Sequence, residues 1–391
     1  MTRNDTDCIG RQRTFDRGRI SRTTVIALCT GVFFGSLLFA AEPTQEFRLA
    51  APGYQYAFPR DHGSHDDFRT EWWYYTGHLA ATNGRQFGYQ LTFFRRGVPR
   101  DRVKTLPSRW SITQLYLAHF AISDLSDEQF HYDERISRAG LGKAGAEPGR
   151  LHVWIDHWSA ESPMTGPLTQ QLRASNDSIG LELTLSPEKP LVVHGAGGVS
   201  RKGGAEGQAS HYYSFTRLAT TGALTLGTER FDVTGTTWMD HEFGSADLAE
   251  DLVGWDWFGI QLENGTDLML YRLRRADGST DPASSGTFVD RDGRTQHLTV
   301  KDFSMEPTAY WTSPKSTARY PQRWHIVIPS MPLSLDIIPQ LAGQELVTSH
   351  STQVTYWEGA IEVNGVAQGK TIKGQGYMEL TGYVERFPKK S

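Results

Sequence analysis

The stretch EWWYYTGHLAATNGRQFGYQLTFFRR, residues Glu71–Arg96, predicts a β-hairpin. Two aromatic segments flank Asn83-Gly84, and an Asn-Gly pair between alternating segments is the strongest short-range signal for a hairpin turn. Successive side chains of a strand point to opposite faces, so Trp72 and Tyr74 are expected on one face. The other face carries Glu71, Trp73 and Tyr75. The first strand is therefore predicted to have aromatic side chains on both faces and a carboxylate at its start.

A second hairpin of the same kind occurs later in the chain. Trp255–Leu262 and Asp267–Arg274 flank another Asn-Gly pair, Asn264-Gly265. The segments that close the two halves also correspond, since Phe231–Asp240 ends in Trp-Met-Asp and Ile361–Glu379 ends in Tyr-Met-Glu. Two matches in the same order indicate an internal repeat. We therefore predict two similar β-domains, joined near residues 240–254 and built as barrels or sandwiches, because closure removes exposed strand edges.

Composition narrows the class of protein. The 391 residues are enough for two domains, and a formal charge of -4 with a pI near 6.4 provides no broad basic surface for nucleic acid. Aromatic residues make up 12% of the chain, which also has 39 glycines, and no long segment has a helical period. These features favour short strands and tight turns, and we expect no nucleic-acid partner.

The N-terminal segment predicts export. A basic lead is followed by an uncharged run, Thr24–Ala41, that ends in small residues, which is the layout of a signal peptide. The run is also nearly long enough to span a bilayer, so an uncleaved membrane anchor is the alternative for residues 1–41. Both cysteines, Cys8 and Cys29, lie in this segment. The exported part is therefore expected to lack disulfides and thiolate nucleophiles, and proximity to a membrane is possible.

The stretch TTWMDHEFGS, residues 236–245, concentrates ionisable groups among aromatic rings. Asp240, His241 and Glu242 stand between Trp238 and Phe243. In an extended segment Asp240 and Glu242 face one way and His241 faces the other. One interpretation is an apolar pocket with convergent polar groups. The alternatives are charges that face water, or ion pairs that join the two domains.

Metal and serine-hydrolase sites are less well supported. The candidate metal donors are His62, His65, Asp240, His241 and Glu242, but the sequence contains no His-x-x-x-His pair, so we predict no metal site. It also contains no Gly-x-Ser-x-Gly segment of the kind that carries a nucleophilic serine.

Several long motifs resemble the AttH/CrtC family, and the resemblance covers Tyr54–Tyr383. They are FPRDHGSHDDFRTEWWYYTGHL, NGRQFGYQLTFFRR, TTWMDHEFGS, GWDWFGIQLENGTDLMLYRLR, YPQRWHIVIP, YWEGAIEVNG and GQGYMELTGY. The resemblance implies an all-β fold of two tandem lipocalin-like β-barrels, here residues 54–240 and 241–391. Members include carotenoid 1,2-hydratases, which add water to a terminal isoprenoid double bond without a redox cofactor, and more distant cyclases. Many bacterial members are named only as secreted hydrolases.

These observations define a predicted site near the domain junction. Protonation of a double bond needs an acid that stays protonated at neutral pH, which burial among aromatics can provide, and ring faces stabilise cationic charge. We predict Asp240 and Glu242 as the first candidates for the acid, then Glu71 and Asp256, with His241 as a proton shuttle or orienting group. The predicted ligand-binding side chains are Trp72, Trp73, Tyr75, Trp238, Trp255, Trp257 and Tyr377.

The leading hypothesis is an exported protein that binds an isoprenoid or lipid-like molecule and catalyses acid-assisted hydration or cyclisation, with no cofactor. The alternatives are a non-catalytic lipid carrier, a hydrolase of an apolar ester, and a structural protein of the cell envelope.

Overall fold

The structure is a computed structural model that describes residues 47–98, 112–164 and 168–384. The predicted signal or anchor segment, residues 1–41, lies outside these ranges. All of the described residues belong to one compact unit. Within the described ranges the regular structure is β-strand, apart from the 3-10 turn Arg60–His62, and none of it is a helix long and apolar enough to cross a membrane. The predicted all-β fold is confirmed.

The strands form two antiparallel sheets. The first sheet contains β1 (Thr70–Ala81), β2 (Gln86–Gly97), β3 (Gln114–Asp124), β4 (Gln129–Arg138), β5 (Ala144–Ala146), β6 (His152–Ile155), β7 (Trp158–Glu161), β8 (Gln170–Ser175), β9 (Ile179–Pro187), β10 (Val192–Val193), β11 (Ser200–Arg201), β12 (Ala209–Leu226) and β13 (Glu229–Gly244). The second contains β14 (Leu252–Leu262), β15 (Asp267–Arg275), β16 (Ser285–Val289), β17 (Thr295–Thr299), β18 (Ser304–Thr312), β19 (Arg319–Ile328), β20 (Leu333–Pro339), β21 (Glu345–Thr348), β22 (Val354–Ala367) and β23 (Lys370–Leu380).

Both predicted hairpins are present, as β1–β2 and β14–β15. Gly84 has a φ of +88° and Gly265 a φ of +83°, which is the left-handed conformation that glycine adopts without strain. In the first turn the Asn83 side chain also accepts a hydrogen bond from the Arg85 amide at 3.1 Å. The Asn-Gly pairs therefore fix where each hairpin turns.

The first sheet curls into a nearly closed barrel. Its strand order is β4-β3-β2-β1-β13-β12-β9-β8-β7-β6-β5. Near the two ends of this order, the Arg135 guanidinium of β4 lies 4.3 Å from the ring of Trp158 on β7, and donates to the Ser175 carbonyl at 3.2 Å. Side chains such as Tyr89, Phe120 and Leu185 fill the interior.

The second sheet repeats the arrangement of the first. Its order, β17-β16-β15-β14-β23-β22-β20-β19-β18, places each hairpin beside its closing strand in the same way. Asp240 lies opposite Tyr74 in the first sheet, and Glu379 lies opposite Trp257 in the second. The internal repeat predicted from the sequence therefore corresponds to a repeated strand order in the structure. The predicted division between residues 240 and 241 falls inside β13, because Gly244 still pairs with Thr70.

The two sheets pack against each other along an interface that we call the seam. It is formed by the outward faces of β1, β2, β12 and β13 and the facing sides of β14, β15, β22 and β23. An apolar cluster fills its centre, with Trp238, Trp257 and Tyr377 among its members. Polar contacts also cross it, including a hydrogen bond between His78 and the Gly376 carbonyl at 2.8 Å. The outward face of β1 is therefore buried at Tyr74 and Thr76 and partly exposed at Trp72 and His78, whereas its inward face is buried throughout.

One buried carboxylate joins the sheets at the edge of the seam. Asp267 of the second sheet is inaccessible to solvent and accepts hydrogen bonds from Lys189 at 2.8 Å, Thr216 at 2.8 Å and Arg217 at 2.7 Å, all in the first part of the chain. Lys189 is itself only 7% exposed. A buried ion pair depends strongly on both partners, since loss of one leaves the other charge uncompensated.

Replacement of Asp267 should therefore destabilise the protein. We expect Asp267→Ala to lower the free energy of unfolding by about 3–5 kcal/mol, because Lys189 and Arg217 lose their counter-charge. Asp292→Ala is the matched control: it removes an exposed ion pair with Arg294 and should cost less than about 1 kcal/mol. Urea unfolding measures both variants, and equal losses would contradict the role assigned to Asp267.

Candidate active site

The alternation of side chains divides the predicted site into two groups. Asp240 and Glu242 point into the seam, whereas Glu71 and His241 point to the inside of the first barrel, on the other side of the same sheet. The opposite directions of Asp240 and His241 agree with the prediction from the strand period. These four residues therefore do not form a single cluster.

Glu71 lies in a network of cations and hydrogen-bond donors at the end of the barrel. Its Oε1 is 2.7 Å from His65 Nδ1 and 2.8 Å from His241 Nε2, and Arg95 Nε donates to its Oε2 at 2.8 Å. Burial alone would raise the pKa of the Glu71 carboxyl, but Arg95 and the two histidines outweigh it and hold that pKa well below its ordinary value. Glu71 is thus ionised, which is unsuitable for the proton donor considered from the sequence. Asp256, another candidate, is similarly paired with Arg272 and Arg274.

Asp240 is a buried carboxyl held by three donors in the seam. Tyr212 donates to it at 2.7 Å, Trp238 at 2.6 Å, and Ser214 donates through its hydroxyl. Burial raises the pKa of Asp240 to about 7 although these donors act in the opposite direction, and the nearby charge of Glu242 contributes to the rise. Asp240 can therefore gain or lose a proton near neutral pH.

Glu242 forms an ion pair with Lys202 in the seam. Lys202 Nζ lies 2.9 Å from Glu242 Oε1, which also accepts from the Ser210 hydroxyl. The ammonium group sits 4.5 Å from the ring centre of Tyr271. Burial would lower the pKa of Lys202, but the charge of Glu242 outweighs it and the pKa is raised. The two residues therefore form an ion pair, so Glu242 is a poor candidate for the acid.

Two further carboxyls, Glu358 and Glu379, point into the seam from neighbouring strands. They are direct cross-strand partners on β22 and β23. Tyr74 donates to Glu358 Oε1 at 2.6 Å, and Glu358 Oε2 is buried without a hydrogen-bond partner among the described residues. Trp255 donates to Glu379 Oε2 at 3.1 Å. Burial raises the pKa of Glu358 well above its ordinary value, with the charge of Glu379 adding to it, and raises the pKa of Glu379 to about 7.

The sequence contained a signal for Glu379 that the site prediction did not use. In the repeat, Glu379 occupies the position of Asp240, so the second half should carry a carboxyl where the first half does. Glu358 corresponds to Ser214, since each is the cross-strand partner of that carboxyl. No sequence match indicates an acid at this position, and only the pairing of β22 with β23 places it beside Glu379.

The predicted ligand-binding aromatic residues are also divided between the seam and the interior of the first barrel. The seam contains Trp72, Trp238, Trp255, Trp257 and Tyr377. Trp73 and Tyr75 instead belong to the barrel core, where the Tyr75 hydroxyl donates to Gln170 at 2.8 Å and the Trp73 ring stacks on His241. Trp72, Trp255 and Glu379 keep partial exposure, which indicates that the seam is open to solvent beside its carboxyls.

The end of the first barrel also has an open cleft. Its volume is about 540 Å³, and its wall includes Tyr54, Arg60, Asp61 and His65. His65 leads from this cleft to Glu71 and His241, and the three residues have potential metal-ligating atoms within 4.8 Å of one another. The seam carboxyls and this cleft are therefore separate candidate sites.

Comparison with known proteins identifies the family. The AttH-like family profile matches residues 49–383. The chain belongs to the AttH-like family. The family resemblance predicted from the motifs is confirmed.

Solved structures agree with this assignment. A protein from Nitrosomonas europaea assigned as an AttH is 34% identical, with a TM-score of 0.77 over 86% of this chain and 100% of the other. Kievitone hydratase from Nectria haematococca has a TM-score of 0.66 at 16% identity, covering 87% of this chain and 97% of that enzyme. CghA with Sch210972 has a TM-score of 0.50 at 14% identity, over 81% and 89%. Kievitone hydratase and CghA share the fold of this chain. No curated protein sequence matches this AttH-like chain.

The raised pKa of Glu379 predicts a pH-dependent stability. Between about pH 4.5 and pH 7 the folded protein keeps a proton that the unfolded chain releases, so this group lowers stability as the pH rises through that window. Glu379→Gln should remove this loss. At pH 8 the free energy of unfolding of the variant should exceed that of the wild type by about 1–2 kcal/mol, which allows for screening by solvent. At pH 4.5 the two proteins should differ little.

Urea unfolding at the two pH values measures the effect. Glu362→Gln, an exposed glutamate on the neighbouring strand β22, is the control and should follow the wild type at both. If the free energy of unfolding changed equally between the two pH values in Glu379→Gln and in the wild type, the assignment of a raised pKa to Glu379 would be contradicted.

Proposed function

We propose that this AttH-like protein binds an uncharged apolar molecule, of isoprenoid or lipid-like character, in the seam and catalyses acid-assisted addition of water to a double bond. The observation that carries the proposal is the pair Glu358 and Glu379, two neighbouring carboxyls with raised pKa values among aromatic rings. Cyclisation is the related outcome when an internal double bond, rather than water, captures the cation.

Glu358 is our choice for the acid. Its Oε1 accepts a hydrogen bond from the Tyr74 hydroxyl, while its Oε2 has no partner in the part of the chain that the structure describes and would carry the proton toward a ligand. Burial raises the pKa of Glu358, and the charge of its cross-strand partner Glu379 raises it further, so Glu358 retains its proton. Transfer of this proton to one alkene carbon leaves a carbocation on the other.

The ring faces of the seam suit this cation. Trp257 lies edge-on to Tyr74 at 5.3 Å and to Trp238 at 6.0 Å, so rings from both sheets meet beside the carboxyls. A cation over an aromatic face gains roughly 0.5–2 kcal/mol per ring. The negative groups Asp240 and Glu379 add electrostatic stabilisation when ionised.

Water completes the reaction. Its oxygen attacks the cation, and one of its protons passes to Asp240 or Glu379, whose pKa values of about 7 suit a proton acceptor at neutral pH. Return of that proton to Glu358 restores the starting state, so the net change is one alkene and one water to one alcohol. No cofactor takes part in this sequence.

The comparisons support the reaction class. Kievitone hydratase, which shares the fold, is by its name a hydratase. We also propose export to the periplasm or the medium, on the composition of residues 1–41.

The test begins with the ligand. Native mass spectrometry of freshly purified protein identifies what co-purifies, and incubation of that compound in ¹⁸O-labelled water should give a product heavier by one labelled water. Glu358→Gln should lower turnover by at least ~10²-fold, because it removes the proton donor, while binding of the compound changes little. Glu362→Gln serves as the exposed control on the same strand.

Two outcomes would overturn the proposal. Unchanged turnover in Glu358→Gln would exclude this residue as the acid. Tight binding with release of the unmodified compound by the wild type would identify a lipid carrier, and would leave the raised carboxyl pKa values without a catalytic role.

A further inference from the structure

We propose that His65, Glu71 and His241 form a binding site for a divalent transition-metal ion, distinct from the seam. The atoms that would bind it are His65 Nδ1, Glu71 Oε1 and His241 Nε2, all within 4.8 Å of one another. Two imidazole nitrogens and one carboxylate oxygen are a donor set that suits Zn²⁺ and Co²⁺.

The fold brings these three atoms together from separate segments. His65 lies in the loop before β1, Glu71 is near the start of β1, and His241 is on the paired strand β13. Glu71 and His241 are inaccessible to solvent, and the His65 side chain is 9% exposed. Phe243 stacks on the His65 ring at 3.6 Å and restricts its orientation. The donors are therefore held in position by the sheet and by packing.

Each donor residue uses its remaining polar atom to bind a second partner. His65 Nε2 is 3.3 Å from Asp61 Oδ1, His241 Nδ1 is 2.9 Å from the Tyr213 hydroxyl, and Arg95 Nε donates to Glu71 Oε2. Metal-binding histidines typically have their other ring nitrogen held in this way by a carboxylate or another polar group. These partners leave the three proposed donor atoms directed toward a common point.

Protons occupy this point when no metal is bound, since Glu71 Oε1 is within hydrogen-bond distance of both histidines. A metal ion would replace a proton on His65 and take the lone pairs of both rings. Arg95 opposes a cation, whereas Glu71 and the nearby Asp61 favour it. The site should therefore be weaker than one without an arginine.

The cleft gives the metal access to solvent. Three protein ligands leave a position open for water or a small ligand, as in catalytic rather than structural zinc sites. His65 and Asp61 form part of the wall of the cleft of about 540 Å³, so this position would be reached from there. Because Asp240 and Glu242 lie on the opposite face of the sheet, the proposal does not depend on the proposed function of the seam.

Cobalt titration of the untagged full-length protein, first treated with a chelator, tests this inference. We expect one equivalent of Co²⁺ to bind with visible absorption bands that Zn²⁺ abolishes. His65→Gln and His241→Gln should each lose the bands. Asp61→Asn should keep them but bind about 10–100-fold more weakly, as expected for loss of an outer partner. His325→Gln, which removes an exposed histidine bound to Asp336, should match the wild type.

The wild-type spectrum keeps the test decisive even if a variant fails to fold. Absence of visible bands at one equivalent in the wild type would overturn the proposal. Retention of the bands in both His65→Gln and His241→Gln, with circular dichroism showing folded protein, would also overturn it.

Discussion

The constraint on which this structure depends is that β1 and β13 are buried on both faces where they pass the centre of the seam, at residues 74–76 and 237–244. One face closes the first barrel and the other meets the second sheet across the seam. Side chains of a strand alternate between its faces, so a single stretch such as Glu71–Tyr75 supplies the barrel interior and the seam at once. This explains why aromatic residues occur consecutively in the sequence and not at every second position, as they would on a half-buried strand.

Neighbouring charges give the buried carboxyls of the two faces opposite properties. Glu71 lies among Arg95 and two histidines, so the charged form is favoured and the pKa falls. Asp240, Glu358 and Glu379 share the seam with Glu242, whose lysine partner is Lys202, so burial and like charges act in the same direction and their pKa values rise. Burial penalises ionisation in both places, and the nearby cations decide which carboxyls remain ionised.

The sequence predicts the fold well because its signals are local. The Asn-Gly turns, the alternation of the strands and the two similar closing segments are read within short windows, and each has a counterpart in the structure. The family motifs give the architecture.

The site is predicted less completely, since cross-strand pairing and ion pairs join residues far apart in the chain. By the strand period Glu242 is equivalent to Asp240, and only its ion pair with Lys202, forty residues earlier in the chain, distinguishes the two carboxyls. The prediction of one ligand-binding group that contains Trp72, Trp73 and Tyr75 is incomplete in the same way, since alternation places Trp73 and Tyr75 in the barrel core.

The internal repeat explains why the seam is chemically asymmetric. Asp240 and Glu379 occupy equivalent positions on either side of the seam, and their cross-strand partners are Ser214 and Glu358. Where the first half has a serine that donates to its carboxyl, the second half has a second acid that cannot ionise freely beside the first. The first half thus holds a carboxyl surrounded by donors, and the second holds a proton. In the function that we propose, the second group would donate a proton to a double bond and the first would accept one from water, and the two halves differ in this respect through the serine or glutamate at one repeated position.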